Sequence, residues 1–120
     1  MKKGIILFGH GSRSAEYVRP FERIQAAMRG REPQVPVELG FLELTRPGLL
    51  ESIECLVGRG VDHIVIVPIF IGPGRHVLKD LPQLAGDAMG RHPGLDIVLA
   101  APVGEVPEVI EAMADFALKA

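Results

Sequence analysis

The chain alternates four apolar runs with four segments of helical periodicity, and this alternation limits the folds open to it. The apolar runs cover residues 4–9, 37–42, 63–70 and 96–101. The first, third and fourth are continuous in isoleucine, valine and leucine, which is typical of parallel strands covered on both faces. Because strands and helices alternate, the sequence predicts an α/β fold with right-handed crossovers.

After the runs, apolar residues recur at every third or fourth position, which indicates amphipathic helices. The apolar stripes are Tyr17, Phe21, Ile24 and Met28 after the first run, Leu49, Ile53, Leu56 and Val57 after the second, and Val106, Val109, Ile110, Met113 and Phe116 after the fourth. The third helix is predicted from Pro82 to Arg91, with a short turn before it, because proline disrupts a helix interior.

The expected topology is a four-stranded parallel sheet of order 2-1-3-4 with helices on both faces, a flavodoxin-like three-layer sandwich. With 120 residues, the chain is predicted to form a single domain over residues 1–120. In such a sheet, ligands bind outside the carboxyl ends of the strands where the winding reverses. Here that point falls between the first and third strands.

Two glycine-flanked histidines follow the strands at that point. The first strand leads into "GHGSR" at 9–13 and the third into "GPGRH" at 72–76, while the second ends in "FLELTRP". His10, His76 and Glu43 are therefore predicted to meet at one edge. Neutral imidazole binds cobalt, nickel, zinc and iron well, and a carboxylate can complete or orient such a site. Imidazole can also accept a proton near neutral pH.

Three arginines near these loops, Arg13, Arg46 and Arg75, can pair with carboxylates of a ligand. Simpler roles remain open for several of these residues. The first loop can be only a tight turn, His76 a surface residue and Glu43 a solvated acid.

The other histidines and the cysteine are predicted to have structural roles. His63 begins the third strand, at the opposite end from the crevice, and His92 falls at a helix end, where a cation suits the helix dipole. Cys55 lies beside the apolar stripe of the second helix and is predicted to be buried.

Composition excludes some classes of partner. A formal net charge of −2 argues against nucleic-acid binding, which calls for a strongly basic surface. No apolar run approaches the length of a membrane span. The single cysteine allows no intramolecular disulfide, so a reducing, cytoplasmic location is expected.

Together, "GHGSR", "FLELTRP" and "VPIFIGPGRHVLKDLP" resemble the short form of the CbiX-type sirohydrochlorin cobaltochelatases, over almost the whole chain. The resemblance implies a lyase that inserts a divalent metal into sirohydrochlorin: Co²⁺ in cobalamin biosynthesis, or Fe²⁺ or Ni²⁺ in close relatives. It assigns metal binding to His10 and His76 and a substrate-side catalytic role to Glu43. No cofactor is implied beyond the substrate metal. Long-form members carry two such domains in one chain. This chain has one, so the resemblance implies a homodimer.

Sirohydrochlorin is a flat apolar ring edged with carboxylates, so an apolar shelf with a polar rim would suit it. The expected substrate-binding residues are Ser12, Arg13, Arg46, Phe70, Ile71, Arg75 and Val77.

Two other classes of function compete with this one. A histidine phosphatase would use His10 as a nucleophile, but Gly9 stands where those enzymes usually have arginine. A nucleotide-binding module is disfavoured because Ser14 replaces the third glycine of the dinucleotide fingerprint. A carrier that binds metal or tetrapyrrole without catalysis remains an alternative.

Overall fold

The computed structural model describes residues 1–120 as one parallel sheet flanked by helices. The strands are β1 (Lys3–Gly9), β2 (Val37–Phe41), β3 (His63–Pro68) and β4 (Asp96–Leu99), in the order β2-β1-β3-β4. Every neighbouring pair is parallel, so the predicted sheet is confirmed. None of the helices is long and apolar enough to cross a bilayer.

Four α-helices and one short 3₁₀ helix complete the fold. They are α1 (Arg19–Arg31), α2 (Leu49–Gly58), α3 (Arg75–Arg91), the 3₁₀ helix (Val103–Glu105) and α4 (Pro107–Lys119). α1 packs on one face of the sheet, and α2 and α3 pack on the other. The prediction of helices on both faces is therefore confirmed.

The larger core lies between the sheet and the α2–α3 layer. Ile6 and Phe8 of β1, and Ile64 and Ile66 of β3, are fully buried there against apolar side chains of both helices. Each such side chain contributes about 1.5–3 kcal/mol when it is removed from water. This core holds β1 and β3 side by side, so the loops that leave them start from a rigid base.

α3 begins well before Pro82, and the prediction of its start was wrong. Val77, Leu81, Ala85 and Ala88 recur at helical spacing and are all buried in the larger core. Pro82 itself lies on the exposed side of the helix. Burial of the apolar stripe offsets the cost of an interior proline, about 3 kcal/mol, so the helix continues through it.

α4 lies away from the sheet. None of its residues is buried, and it packs chiefly against the 3₁₀ helix that precedes it. The molecule is correspondingly elongated, with extents of 48 × 33 × 29 Å. Because α1 covers mainly β2, the α1 side of β3 and β4 is only partly covered within one chain. Coverage on both faces was expected for these two strands.

Candidate functional site

His10 and Glu43 lie side by side at the carboxyl edge of the sheet. The parallel pairing of β1 and β2 continues beyond the strands, because Leu42 N donates to Gly9 O and Glu43 N donates to His10 O, both at 3.0 Å. The imidazole Nε2 of His10 lies 3.1 Å from Glu43 Oε2. The histidine Nδ1 makes no hydrogen bond within the chain and remains available to a ligand.

Gly11 allows the loops after β1 and β2 to meet at this point. Its φ is +102°, in the region that favours glycine. Next to it, Ser12 N donates to Thr45 Oγ1 at 2.9 Å, and the same hydroxyl donates back to Ser12 O at 3.0 Å. These reciprocal bonds join the two loops, so the positions of His10 and Glu43 are set by backbone contacts.

His76 lies in the first turn of α3, which carries it away from the β3 terminus. Its Nε2 is 3.2 Å from Asp80 Oδ2, one helical turn further on, and its side chain is 71% exposed. It lies at the same edge as His10 because β1 and β3 are neighbours. It makes no hydrogen bond or ion pair with His10 or Glu43, however, and no group of three or more His, Cys, Asp or Glu side chains has metal-binding geometry.

The three arginines differ in their surroundings. Arg13 and Arg75 are exposed and form no ion pair, so both are available to an anionic ligand. Arg46 NH2 instead lies 3.2 Å from Glu51 Oε2 in the first turn of α2. The backbone N–H of Gly48 and then the Arg46 guanidinium lower the pKa of Glu51 below its ordinary value. Arg46 thus already has a carboxylate partner.

The expected apolar shelf is only partly exposed. Ile71 is 76% exposed, whereas Phe70 is half-buried with its ring in edge contact with Phe8, at a centroid distance of 5.9 Å. Val77 is 6% exposed and belongs to the larger core. The exposed shelf therefore consists of Ile71 and part of Phe70, and Val77 supports it from below.

The carboxyl edge is open rather than enclosed. Beneath the loop after β3 lies a cavity of about 110 Å³, lined by apolar residues such as Phe70 and Leu81. A larger cavity of about 350 Å³, which includes Lys3 and Arg31 in its walls, lies at the opposite end of β1. Binding sites for drug-sized ligands have about 300–1,000 Å³, so one chain alone encloses no such site beside His10.

The remaining histidines are held away from this edge. His63 Nδ1 lies 3.0 Å from Asp96 Oδ2 at the start of β3 and β4, and His92 Nε2 lies 2.9 Å from Glu54 Oε1 between α3 and α2. Cys55 is exposed, and the prediction that it is buried was wrong because it lies on the outer flank of α2. Partial desolvation and then the nearby Glu38 raise the pKa of its thiol.

Two further residues of the site, Thr45 and Asp80, were not predicted from the sequence. Thr45 joins the loops after β1 and β2 through its hydroxyl. A threonine in a loop has no sequence pattern that would predict this role. Asp80 accompanies His76, and its i,i+4 spacing is recognisable once the helix is known to begin at Arg75.

The arrangement can bind a cation and accept protons. An imidazole with a carboxylate on one nitrogen and a free second nitrogen is a common metal-ligand arrangement, in which the carboxylate orients the ring and raises its basicity. The same pair can take up a proton from a weak N–H acid. His76 with Asp80 repeats the arrangement on the neighbouring loop.

Comparison with known proteins gives consistent matches. A family model described as CbiX matches residues 4–120. A sirohydrochlorin cobaltochelatase of Methanothermobacter thermautotrophicus is 31% identical, with 95% of this chain and 90% of that protein covered. A sirohydrochlorin ferrochelatase of Bacillus subtilis is 32% identical, with 94% of this chain but 43% of that protein covered.

Solved structures agree with these matches. The crystal structure of a putative cobalamin biosynthesis CbiX protein from Marinobacter aquaeolei superimposes with a TM-score of 0.85 at 30% identity, covering 98% of this chain and 95% of the other. The sirohydrochlorin chelatase SirB of Bacillus subtilis, in complex with cobalt, gives a TM-score of 0.83 at 28% identity, covering 99% of this chain and 51% of the other. The chain thus spans about half the length of the longer relatives.

Proposed function

Because the chain belongs to the CbiX family, we propose that it inserts a divalent metal ion, with Co²⁺ as the first candidate, into sirohydrochlorin. The observation that carries the proposal is the pairing of His10 with Glu43 at the carboxyl edge of β1 and β2, with the second imidazole nitrogen free. The reaction needs a metal ligand and a proton acceptor, and the free nitrogen of His10 can serve as either one at different stages.

The chemistry requires no redox step and no covalent intermediate. A divalent ion replaces two pyrrole N–H protons, so each turnover releases two protons and the waters of the ion. Once its Nδ1 is free of the ion, neutral His10 can take one of these protons, and Glu43 stabilises the imidazolium that results. The other proton passes to solvent water at this open edge. His76 with Asp80 offers a second imidazole for the metal from the neighbouring loop, in line with the expected metal ligation by both histidines.

The substrate would lie over the open edge. Ile71 and the exposed part of Phe70 offer an apolar surface for the ring, and Arg13 and Arg75 offer cations for its carboxylates. Ser12 adds a hydroxyl at the rim. Arg46 would have to exchange Glu51 for a substrate carboxylate, so its contribution is the smallest of the three arginines.

The proposal also covers the biosynthetic pathway, the location in the cell and the oligomeric state. Cobalt places the enzyme in cobalamin biosynthesis, and the relatives named ferrochelatases make iron the first competitor. A single cysteine suits a reducing cytoplasm. Because one chain encloses no ligand-sized site at this edge, a homodimer in which a second copy supplies the other wall is the expected active form.

The test is to incubate purified protein with sirohydrochlorin and each of Co²⁺, Fe²⁺ and Ni²⁺, and to follow the visible spectrum of the tetrapyrrole. Catalysed cobalt insertion, faster than in a protein-free control, supports the proposal. Binding of metal or tetrapyrrole without turnover would identify a carrier. Faster insertion of iron or nickel than of cobalt would move the assignment to that metal.

A further inference from the structure

Leu44, which directly follows Glu43 in the loop after β2, has a backbone conformation that leucine rarely adopts. Its φ is +65°, and it is the one residue other than glycine with a positive φ. Thr45 N donates to Glu43 O at 2.7 Å, which closes a three-residue turn around Leu44. A turn of this kind with a positive φ at its centre is rare and strained. Leucine is therefore unfavourable at this position on conformational grounds, since glycine and asparagine adopt such angles more readily.

The side chain of Leu44 contributes little to the folded core. It is 58% exposed and belongs to neither of the two buried clusters. Leu42, two residues earlier, packs against the larger core instead. Backbone strain and the exposure of an apolar side chain are both unfavourable for the folded state. Because strained residues cluster where proteins hold ligands, this combination points to a binding role for the leucine.

Contacts on both sides of Leu44 hold the strained turn in place. Before it, Glu43 N donates to His10 O at 3.0 Å. After it, the hydroxyl of Thr45 exchanges two hydrogen bonds with the backbone of Ser12. The residues before and after Leu44 are thus both tied to the loop after β1, so the leucine is fixed beside the pair formed by His10 and Glu43.

Leu44 and Ile71 lie on loops that flank His10 at the carboxyl edge of the sheet. Because β1 lies between β2 and β3, the loop with His10 lies between the loop with Leu44 and the loop with Ile71. Like Leu44, Ile71 is largely exposed. Neighbouring strands lie about 4.8 Å apart, so the ends of β2 and β3 are separated by roughly 10 Å, which is close to the width of a tetrapyrrole ring. Two exposed apolar side chains therefore leave this edge, one on each side of the imidazole.

We propose that Leu44 is a substrate-binding residue which, together with Ile71, holds the apolar ring of sirohydrochlorin across His10. This inference rests on the function proposed above and identifies a further contact of the same site. Removal of apolar surface from water on both partners drives such a contact. Arg13 and Arg75 are suited to the carboxylates at the rim of the substrate, whereas Leu44 and Ile71 are suited to the ring itself. A ring that rests on both side chains has its central nitrogens near the imidazole, where the metal must enter.

Leu44→Asn tests this role, because asparagine tolerates a positive φ but removes the apolar surface. Relief of the strain should raise the melting temperature by roughly 5 °C. Loss of the apolar contact should weaken binding of metal-free sirohydrochlorin about 10-fold in an absorbance titration. Binding of Co²⁺ without tetrapyrrole should not change, because His10 and Glu43 keep their positions.

Two further variants separate the apolar contact from other effects. Leu44→Met has an apolar side chain in the same strained turn, so it should restore most of the tetrapyrrole binding that Leu44→Asn loses. Leu50→Asn is the matched control, because Leu50 is also exposed, at 36%, but lies in the helix α2. It should bind sirohydrochlorin as the parent does and should gain no stability.

Several results would overturn the role of Leu44 and leave the chelatase assignment intact. One is parental affinity of Leu44→Asn for sirohydrochlorin, or a loss of affinity that Leu44→Met or Leu50→Asn shares in full. A melting temperature of Leu44→Asn that does not rise would show that the leucine is not strained. Weaker Co²⁺ binding by this variant would mean that Leu44 supports the metal site instead, and a change of oligomeric state in light scattering would place it at a subunit interface.

Other results separate this inference from the function on which it rests. A parent protein that binds sirohydrochlorin with the expected dependence on Leu44, but inserts no metal, would contradict the chelatase assignment and support the contact. A parent protein that binds no sirohydrochlorin would contradict both.

Discussion

Gly11 faces the carbonyl oxygen of Glu43 so closely that a Cβ at position 11 would lie 1.6 Å from that oxygen. The loops after β1 and β2 therefore meet backbone to backbone, immediately beside the contact between His10 and the Glu43 carboxylate. No rotation of a side chain can relieve such a clash, because the backbone fixes the position of a Cβ and the Glu43 oxygen belongs to the main chain.

We expect Gly11→Ala to separate the two loops and to lower both stability and metal insertion. Gly94→Ala is the matched control: Gly94 also has a positive φ, +89°, but its Cβ would meet nothing within 4 Å. Alanine costs about 1–2 kcal/mol in the left-handed conformation alone. Urea unfolding should show a larger loss for Gly11→Ala than for the control. Equal losses would mean that the close approach to Glu43 carries no energetic cost.

His10→Ala and His76→Ala are each expected to slow metal insertion by at least about 100-fold, the lower range for a lost acid–base group. Both side chains are exposed, so circular dichroism should show an intact fold. His63→Ala and His92→Ala are the controls, because these histidines pair with Asp96 and Glu54 away from the site. Near-parental rates in the first two variants would exclude the proposed roles.

Glu43→Gln is expected to reduce turnover by about 10–100-fold, as for other carboxylates that orient a ligating histidine. The amide keeps the shape of the side chain but cannot stabilise a protonated His10. The effect should fall on kcat more than on KM, because the carboxylate acts when the proton is transferred. Asp80→Asn makes the same change beside His76. A rise in KM alone would place Glu43 in substrate binding instead.

Stability should depend on pH through Glu51. A carboxyl group whose pKa is lowered by folding stabilises the protein above its unfolded pKa, and this stabilisation is lost as the pH falls through the folded value. The pKa of Glu51 lies below its ordinary 4.5 because of Gly48 and Arg46. Glu51→Gln should therefore be less stable than the parent at neutral pH, and the difference should shrink below about pH 4.5. A difference that grows on acidification would contradict this cause.

Pro82→Ala is expected to raise the free energy of unfolding by about 1–3 kcal/mol, because proline is about 3 kcal/mol less favourable than alanine inside a helix. The side chain is exposed, so little burial is lost. Gly86→Ala, in the same helix and open to solvent, should add about 0.5–1 kcal/mol. Denaturant titration measures both. A destabilised Pro82→Ala would mean that α3 needs the proline for its geometry.

The sheet could be predicted from the sequence because buried parallel strands carry their signal locally, as continuous apolar runs. The proximity of His10 and Glu43 followed from strand order alone, since β1 and β2 are neighbours. The environment of His76 did not follow, because Pro82 disfavours a helix locally, whereas Val77 and Leu81 stabilise it through tertiary burial.

The position of α4 could not be predicted either. Its apolar stripe shows that Ile110 and Met113 need cover, but amphipathicity does not say which surface provides it. That depends on the segment between β4 and α4, where Gly104 N donates to Phe70 O at 2.8 Å and the absence of a side chain at Gly104 makes room for the Ile71 carbonyl. Three-dimensional contacts of this kind leave no periodic trace in a sequence.

The direction of α4 has a consequence for how much of the chain the core needs in order to form. None of the residues of α4 is buried, and the helix packs chiefly against the short 3₁₀ helix before it. The larger core is closed instead by side chains of β1, β3, α2 and α3. The sheet and its first three helices should therefore fold without the last helix, so a ribosome-bound chain could complete its core before its final residues emerge.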